Sequence, residues 1–429
     1  MAGSQRGAPA AGDTAQHDPA GDAAPEGASQ RGHGPLAGMR VLELAQIMAG
    51  PTCGMMLADM GADVVKVEKL QGGDDARGYR EPRVNGVSAP FMILNRNKRG
   101  IALDLKHPRG RDVLLRMVAH ADVFTENYRR GALEKLGLGY DVLARINPGL
   151  IYCAVSGYGR DGPLADKGGF DLIAQGFAGL MSITGEPGGP PAKDGHSIAD
   201  INAGILAVVG ILAAYAHKQK TGEGQVVDTS LFEAALQQTY WHAAIYFATG
   251  ESPGPTGSAH LLTAPYQAFR ARDGFINIGG ANQANWERIA DVLGHAEWRT
   301  DPRFATNTAR MQNREALVAA MSAVLATRGT ADWIEAFDAA GVPAGPVHSI
   351  GEALEHPQAR ARGMVVDVDH PVAGATRALG CPVHFARTPT RVTRAAPLLG
   401  EHTREVLREH GFADAEIDDL AAAGVVATA

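Results

Sequence analysis

Between residues 39 and 156, short apolar runs alternate with longer segments in which apolar residues recur every three or four positions. The runs "MRVLELA", "ADVVKVE", "IALDL", "ADVFTE" and "LIYCAV" predict buried strands. The segments "TCGMMLADMG", "PRGRDVLLRMVAHA" and "YDVLARINP" have helical spacing. This alternation predicts an α/β fold with a Rossmann-like open parallel sheet that is covered by helices.

The second half of the chain begins with a long apolar helix, "ILAVVGILAAYAH" (205–217), which is predicted to end at Gly222. A strand and a helix are predicted in "GQVVDTSLF". Residues 250–263 are rich in turn formers and mark a boundary or a mobile loop. The segment "PYQAFRARDGFINIGG" predicts a hairpin with Asp273 and Gly274 in its turn. Helices are predicted as far as about residue 340.

Polar segments follow the predicted strands, at the edge of a parallel sheet where ligands bind. The third of them, "NYRRGALEKLG", carries Arg129, Arg130 and Lys135. With Lys69 and Arg77 on neighbouring loops, these residues would form a basic rim suited to phosphate if the loops converge. Taken alone, the same residues are typical of a solvated helix start.

The composition narrows the class of protein. The 429 residues are 45% hydrophobic and 20% charged, with a net charge of −7, as expected for a soluble globular protein large enough for two domains. The chain has no dense basic run and no apolar run of membrane length, so we expect neither a nucleic acid nor a membrane as partner. Residues 1–34 are polar and lack a targeting pattern, which predicts a disordered tail.

Three cysteines, Cys53, Cys153 and Cys381, form no CxxC pair, and the histidines form no HxxxH pair. We therefore expect no disulfide framework and no metal site, and a reducing, cytoplasmic location. Cys53 and Cys153 are candidate thiol nucleophiles, but neither has a histidine beside it in the sequence, and buried, inert cysteine is the commoner case.

The segment "GYGRDG" (157–162) matches the glycine pattern of dinucleotide sites, which would indicate an oxidoreductase. Its context does not fit, because Pro163 follows at once, no long helix opens, and no second strand ends in an acid about 20 residues later. A glycine-rich turn is the favoured interpretation.

Asp200 lies in "HSIADINAG", directly before the apolar helix. Aspartate is among the best helix caps, and the local sequence favours that interpretation. The alternative is chemical. A carboxylate held ionised at a helix N-terminus becomes a nucleophile when that end opens onto a ligand crevice.

Seven ordered blocks between about Pro35 and Val425 together resemble class III CoA-transferases, the family of formyl-CoA and carnitine CoA-transferases. The blocks are "PLAGMRVLELAQIMAGP", "LADMGADVVKVE", "NRNKRGIALDLK", "VFTENYRRGALEKLGLGY", "YCAVSGYGRDGP", "TGEGQVVDTSLFEA" and "LLGEHT". The resemblance implies transfer of coenzyme A from an acyl-CoA to a carboxylic acid, with no permanently bound cofactor. It places the catalytic aspartate on Asp200, which forms a mixed anhydride and then an aspartyl-CoA thioester.

The resemblance also implies the residues that contact CoA, and they fall on the strand-end loops described above. They are Gln46, Ile47, Met48, Ala49, Lys69, Leu103, Lys106, Asn127, Tyr128, Arg129 and Lys135. Two departures stand out: formyl-CoA transferases have a glutamine at the position of Met48, and four glycines in place of Thr256–His260. The segment "GSAHLLTAPYQAF" is similar to the succinyl-CoA-dependent branch that acts on dicarboxylic acids.

The α-methylacyl-CoA racemases share this fold and are the main alternative, ahead of an oxidoreductase. Their acid/base pair needs a histidine directly before the aspartate of "GGFDLIAQG" and another in the preceding region. Here Phe170 precedes Asp171 and "YCAVSGYG" has no histidine. Asp171 is therefore predicted to be structural or to support the site indirectly.

The family's architecture implies four regions. They are a tail (1–34), a large CoA-binding α/β domain that includes Asp200 (35–225), a small domain (226–330), and a linker with a C-terminal return to the large domain (331–429). It also implies a homodimer whose two subunits interlock.

Overall fold

The computed structural model describes residues 33–428, so the predicted N-terminal tail lies almost wholly outside the described residues. The strands are β1 Arg40–Leu44, β2 Asp63–Glu68, β3 Arg83–Val84, β4 Val87–Ser88, β5 Arg99–Leu103, β6 Val123–Glu126, β7 Ile151–Ser156, β8 Val226–Ser230, β9 Tyr266–Arg270, β10 Phe275–Gly279, β11 Ala344–Pro346, β12 Val365–His370, β13 Gly374–Leu379 and β14 Val426–Ala427.

The α-helices are α1 Ala49–Asp59, α2 Ala89–Asn95, α3 Pro108–Val118, α4 Ala132–Lys135, α5 Tyr140–Ile146, α6 Asp171–Phe177, α7 Leu180–Ile183, α8 Ile198–Thr221, α9 Leu231–Gln237, α10 Tyr240–Thr249, α11 Gln283–Val292, α12 Asn307–Gln312, α13 Arg314–Leu325, α14 Thr330–Ala339, α15 Ile350–Glu355, α16 Pro357–Ala361, α17 Thr403–Glu409 and α18 Asp414–Ala422. Two 3₁₀ turns add Asp75–Gly78 and Ala296–Arg299.

Seven strands form the main sheet, in the order β14-β5-β2-β1-β6-β7-β8. Six of them are parallel, and β14 pairs antiparallel with β5 at one edge. The parallel strands follow the doubly wound order, in which strand order reverses between β1 and β6. The predicted α/β fold with an open parallel sheet is confirmed, and every strand predicted before residue 156 lies in this sheet.

The sheet is buried on both faces, because side chains alternate along each strand. Val41 of β1 belongs to the core beneath α1 and α8, whereas Leu42 and Leu44 belong to the opposite core. That opposite core contains α3 and also Leu407 and Ile417 of the C-terminal helices. The C-terminal segment therefore packs against the first strands of the chain.

A separate core lies in the part of the chain around β9, β10 and β11, which form a three-stranded antiparallel sheet. Trp286, Leu317 and Phe337 of the helices that follow are fully buried in this core. Phe275 pairs with Arg270 across the turn that contains Asp273 and Gly274, so the predicted hairpin is confirmed.

The long helix α8 has 24 residues and ends at Gly222, whose φ of 79° is the left-handed conformation that stops a helix, as predicted. Ala203, Ala207 and Ile211 are buried in the core shared with α1. By length and composition α8 is the one helix of the described part that would be able to cross a membrane. A helix of a packed protein core can have the same length and composition, and the buried side of α8 lies in such a core.

Candidate active site

The N-terminus of α8 lies at the carboxyl edge of the main sheet. Helix α8 leads directly into β8, which starts at the amino edge, so the helix runs back across the sheet from the carboxyl edge. It crosses α1 closely, because a Cβ added to Gly204 would lie 2.6 Å from the Ala49 carbonyl oxygen. Asp200 is one helical turn before Gly204, next to the start of α1.

Asp200 is the third residue of α8, and the residue at the cap position is Ser197. The cap is supplied by another helix: Asp171 at the start of α6 accepts hydrogen bonds from the backbone N–H groups of Ala199 (2.9 Å) and Asp200 (3.4 Å). The hypothesis that the Asp200 side chain caps α8 is therefore wrong, since Asp171 occupies the donors that a cap would use.

The Asp200 carboxyl group is half-buried and, within residues 33–428, it accepts no hydrogen bond and forms no ion pair. Burial, and secondly the charge of Asp171, raise the pKa of Asp200 to about 7. Both effects disfavour the ionised form. A carboxylate that is desolvated and unpaired is more basic and more nucleophilic than one in water, which is typical of a reactive group.

Asp171 is itself held in place by Gln175, one turn further along α6. The fully buried Gln175 amide donates to Asp171 Oδ2 at 2.7 Å and accepts from the Asp194 N–H at 2.8 Å. The same amide nitrogen lies 3.3 Å from the carbonyl oxygen of His196. Gln175 thus connects α6 to the loop that leads into α8, a role that we did not predict. The sequence signal is the spacing of four between Asp171 and Gln175, which places both on one side of α6.

The predicted CoA loops after β1 and β6 meet where the strand order reverses, the position at which ligands of doubly wound sheets bind. The side-chain amide of Asn127 accepts from the Gln46 N–H at 2.9 Å and donates to the Gln46 carbonyl at 2.8 Å. Gln46 Nε2 also donates to the Tyr128 hydroxyl at 3.3 Å. The structure therefore brings the two loops together as the sequence indicated.

Ile47 has a φ of +67°, which is unfavourable for a β-branched residue. Its N–H donates to Asp74 Oδ1 at 3.0 Å, and the buried Asp74 forms an ion pair with Lys66 at 2.8 Å. Burial alone would raise the pKa of Asp74, but the Lys66 ammonium and the N–H donors outweigh it, so the pKa is lowered. Lys66 in turn contacts Glu43 at 3.0 Å. A buried ionic network thus fixes the strained loop before α1.

The remaining predicted CoA contacts differ in their surroundings. Lys69, Lys106, Arg129 and Lys135 are exposed, whereas the Leu103 side chain is buried in the core of the sheet. Met48 is at the cap position of α1, and Ala49 is its first residue. Lys69 forms an exposed ion pair with Asp75 at 2.5 Å. The Arg77 guanidinium is already bound by both oxygens of Glu68, so this residue of the predicted rim has its charge paired.

The other chemical candidates lose support. The helix that follows "GYGRDG" begins only at Asp171, so the pattern opens no helix, and the turn interpretation stands. Burial raises the pKa of both Cys53 and Cys153, the latter to about 12, and such thiols are unreactive. Among the described residues, no group of three or more potential ligands is placed to hold a metal ion.

Comparison with known proteins decides the family. A family model described as CoA-transferase family III matches residues 36–403. The chain belongs to CoA-transferase family III. The predicted resemblance is confirmed, and the protein is a CoA-transferase whose substrates include an acyl-CoA.

Two relatives and one solved structure illustrate where this CoA-transferase stands. The succinate–glutarate CoA-transferase of Agrobacterium fabrum is 40% identical over 381 residues, which covers 87% of this chain and 95% of the relative. The succinyl-CoA:glutarate CoA-transferase of Mus musculus is 36% identical over 393 residues and covers 91% and 90%. A CAIB/BAIF family protein from Brucella suis has a TM-score of 0.79 at 38% identity, with 88% and 100% of the two chains covered.

The segment Thr256–His260, which replaces the glycines of formyl-CoA transferases, contacts the loop that precedes α8. The Gly257 N–H donates to the Gly185 carbonyl at 2.9 Å, and the ring of His260 stacks on Tyr266 at 5.1 Å between centroids. In this CoA-transferase the segment is therefore connected, through the loop that begins near Gly185, to the helix that carries Asp200.

Proposed function

We propose that this protein transfers coenzyme A from succinyl-CoA to a dicarboxylic acid, and that Asp200 is the nucleophile. One observation carries the proposal. A half-buried carboxylate, to which no residue in the described range 33–428 donates a hydrogen bond, lies in the first turn of α8, beside the loop that joins β1 to α1 at the reversal of strand order. The relatives that are named for succinate, succinyl-CoA and glutarate support the substrate class.

The chemistry uses Asp200 twice. The carboxylate attacks the thioester carbonyl of the donor, the C–S bond breaks, and CoA leaves as a thiolate, so that an aspartyl-acyl anhydride remains. The thiolate attacks the aspartyl carbonyl of the anhydride, which releases the donor acid and leaves an aspartyl-CoA thioester. The acceptor carboxylate then repeats the sequence in reverse, and Asp200 is regenerated.

The strand-end loops supply the CoA site of this proposal. Lys69, Lys106 and Arg129 are exposed cations on loops that follow strands, and Lys135 is an exposed cation at the end of the short helix α4; all four are suited to phosphate oxygens. The Gln46–Ala49 loop, clamped by Asn127 and Asp74, would orient the part of the thioester nearest Asp200. The cofactor is then a substrate that enters and leaves rather than a resident group.

The racemase alternative has less support from the geometry. A racemase needs the aspartate of α6 to exchange a proton with the substrate. Here both oxygens of Asp171 accept hydrogen bonds, Oδ1 from the first turn of α8 and Oδ2 from Gln175. Among the described residues, no histidine side chain contacts Asp171. Its oxygens are therefore engaged in holding α8.

We further propose that the protein is an interlocked homodimer in the cytoplasm. Large apolar side chains are exposed on α8 and α10 and on and directly before α6, among them Phe170, Val209, Trp241 and Phe247, which are 59–83% exposed. Apolar surface on this scale is typical of an interface. Three free, buried cysteines fit a reducing compartment. Sedimentation of a dimer that persists at nanomolar dilution is expected, and a monomer under native conditions would contradict interlocking.

The test of the function is a panel of acyl-CoA donors against carboxylic acids, with acyl-CoA products identified by mass spectrometry. We expect succinyl-CoA with C4–C6 dicarboxylates to give the highest kcat/KM. Preference for monocarboxylic acids would overturn the substrate class, and deuterium incorporation α to the thioester without transfer would favour the racemase.

A further inference from the structure

Asp171 has an unusual position relative to the proposed nucleophile, because it caps the nucleophile's helix from a different helix. Its Oδ1 accepts the N–H groups of Ala199 and of Asp200 itself, at 2.9 and 3.4 Å. A helix N-terminus otherwise stabilises a nearby anion through these free N–H groups. Since Asp171 uses them, the Asp200 carboxylate gains no such stabilisation from the backbone of α8.

We propose that Asp171 is a positioning residue for Asp200: it fixes the first turn of α8 and, through its negative charge, makes the Asp200 carboxylate more basic. This inference rests on the proposed function, in which Asp200 is the nucleophile. A carboxylate near a like charge and away from hydrogen-bond donors is less stabilised as an anion. It is therefore more nucleophilic toward a thioester once it is ionised. The raised pKa of Asp200 agrees with this geometry.

Among the charged groups of the described part of the chain, Asp171 is the one whose charge acts on Asp200, because the other charged neighbours are already paired or point elsewhere. On the loop before α8, Asp194 and His196 pair with each other at 2.5 Å, and Lys193 is bound to backbone carbonyls. On α9, Glu233 is bonded to Ser230. The first turn of α1, which packs against α8, carries no charged side chain. Asp171 is thus the charged neighbour on α6 that reaches the backbone of Asp200.

The proposal assigns Asp171 two effects that can be separated. Asp171→Asn keeps an oxygen that can cap α8 but removes the charge. It also loses the bond from Gln175, because the new amide nitrogen faces the Gln175 donor. Gln175→Met is the control, since it removes the same hydrogen bond, along with the Gln175 bonds to Asp194 and His196, while leaving the Asp171 charge in place.

The experiment measures the acid limb of kcat/KM against pH for the parent and both variants. Removal of a like charge lowers the pKa of Asp200, so the ionised nucleophile persists to lower pH. We expect the acid limb of Asp171→Asn to move down by about one pH unit, and that of Gln175→Met to stay. An unchanged limb in Asp171→Asn, or an equal shift in both variants, would overturn the proposal.

A second measurement does not depend on transfer. Carbodiimide reacts with protonated carboxyl groups, and coupling to glycine ethyl ester at the Asp200 peptide can be quantified by mass spectrometry over a pH series. The midpoint for Asp200 should fall in Asp171→Asn by the same amount as the acid limb. If the midpoint falls but Asp200→Asn still transfers CoA at the parent rate, the proposed function fails while the role of Asp171 stands. If Asp171→Asn does not fold, Asp171→Ser serves instead, since it also removes the charge, although its oxygen is one bond nearer to the backbone of α6.

Discussion

Asp74 and Asp200 are two carboxylates at the same edge of the main sheet, near the two helices that meet at Gly204, and their surroundings differ in almost every respect. Asp74 is 1% exposed, binds the Lys66 ammonium and accepts two backbone N–H groups, so its pKa is lowered. Asp200 is half-buried and accepts no hydrogen bond from the described residues, and burial together with the charge of Asp171 raises its pKa to about 7. The charge of the first is compensated, and the charge of the second is left available for chemistry.

The two aspartates differ in the groups that surround the carboxylate rather than in the effect of burial, and this difference distinguishes a structural carboxylate from a reactive one. Burial alone disfavours the ionised form of both groups. At Asp74 the surrounding cation and N–H donors offset that cost, and the gain is a fixed loop with Ile47 in a strained conformation. At Asp200 the donors that would have offset it are taken by Asp171.

The largest effect is expected from Asp200→Asn. The amide keeps the shape of the side chain but has no oxygen anion to attack a thioester, so transfer should fall by several orders of magnitude while CoA still binds. Folding should be retained within about 1 kcal/mol, the scale of a helix-start substitution. Steady-state kinetics measures transfer, and calorimetric titration measures CoA binding. Full activity in this variant would mean that Asp200 is not the reactive one of the two aspartates.

Asp74→Asn should act on binding and stability instead. Loss of the charge leaves Lys66 with less compensation in the core, at a cost of about 3 kcal/mol in the free energy of unfolding. The released Ile47 loop should raise KM for the acyl-CoA about tenfold, with a smaller change in kcat, as expected for a lost binding geometry.

The matched control for that variant is Asp59→Asn. Asp59 is equally buried, lies at the other end of α1 and pairs with Arg96 at 2.6 Å. The Asp59→Asn substitution should lower the free energy of unfolding by a similar amount but leave KM for the acyl-CoA unchanged. An equal rise of KM in both variants would mean that general loosening of α1, rather than the clamp on Ile47, controls CoA binding.

The two aspartates should also have opposite effects on stability as pH changes. The folded pKa of Asp200 is about 7, above that of an unfolded chain, so its contribution is complete at low pH and is lost as pH rises through 7. Asp74 has a lowered pKa, so its contribution is present at neutral pH and is lost on acidification. In melting curves recorded from pH 5 to 8, the stability of the Asp200→Asn variant relative to the parent should therefore increase as the pH rises. A constant difference would contradict the raised pKa of Asp200.

A smaller change is expected from Asn127→Ala. It removes two hydrogen bonds to the main chain of Gln46, which join the loops after β1 and β6. The Asp74 clamp on Ile47 remains, so KM for the acyl-CoA should rise only about fivefold, the equivalent of one net hydrogen bond. Steady-state kinetics with the acyl-CoA checks this, and a rise of KM larger than that of Asp74→Asn would reverse the order of importance of the two clamps.

The alternation of apolar runs was sufficient to predict the parallel strands, because strands buried on both faces leave a continuous apolar signal. The hairpin around Gly274 and the helix end at Gly222 followed from local turn and cap chemistry. The edge position of β14 was not predicted, since two residues carry no periodicity. Its pairing depends on tertiary contacts with β5.

The site was predictable only in part. The strand-end loops followed from the topology, and the assignment of Asp200 came from the resemblance. The cap by Asp171 could not be predicted locally, because 29 residues separate it from Asp200 and the local pattern favours Asp200 as its own cap. The Asp74–Lys66–Glu43 network was missed for the same reason: charged residues within a predicted strand give no sign of whether partners will surround them.

The role of Asp200 as nucleophile is tested most directly by trapping the covalent intermediate. The parent is incubated with succinyl-CoA without an acceptor, treated with hydroxylamine, digested and examined by mass spectrometry. We expect a hydroxamate on the peptide that contains Asp200, and none on the same peptide of Asp200→Asn. An adduct on Cys53 or Cys153 instead, or an equal yield from Asp200→Asn, would contradict it.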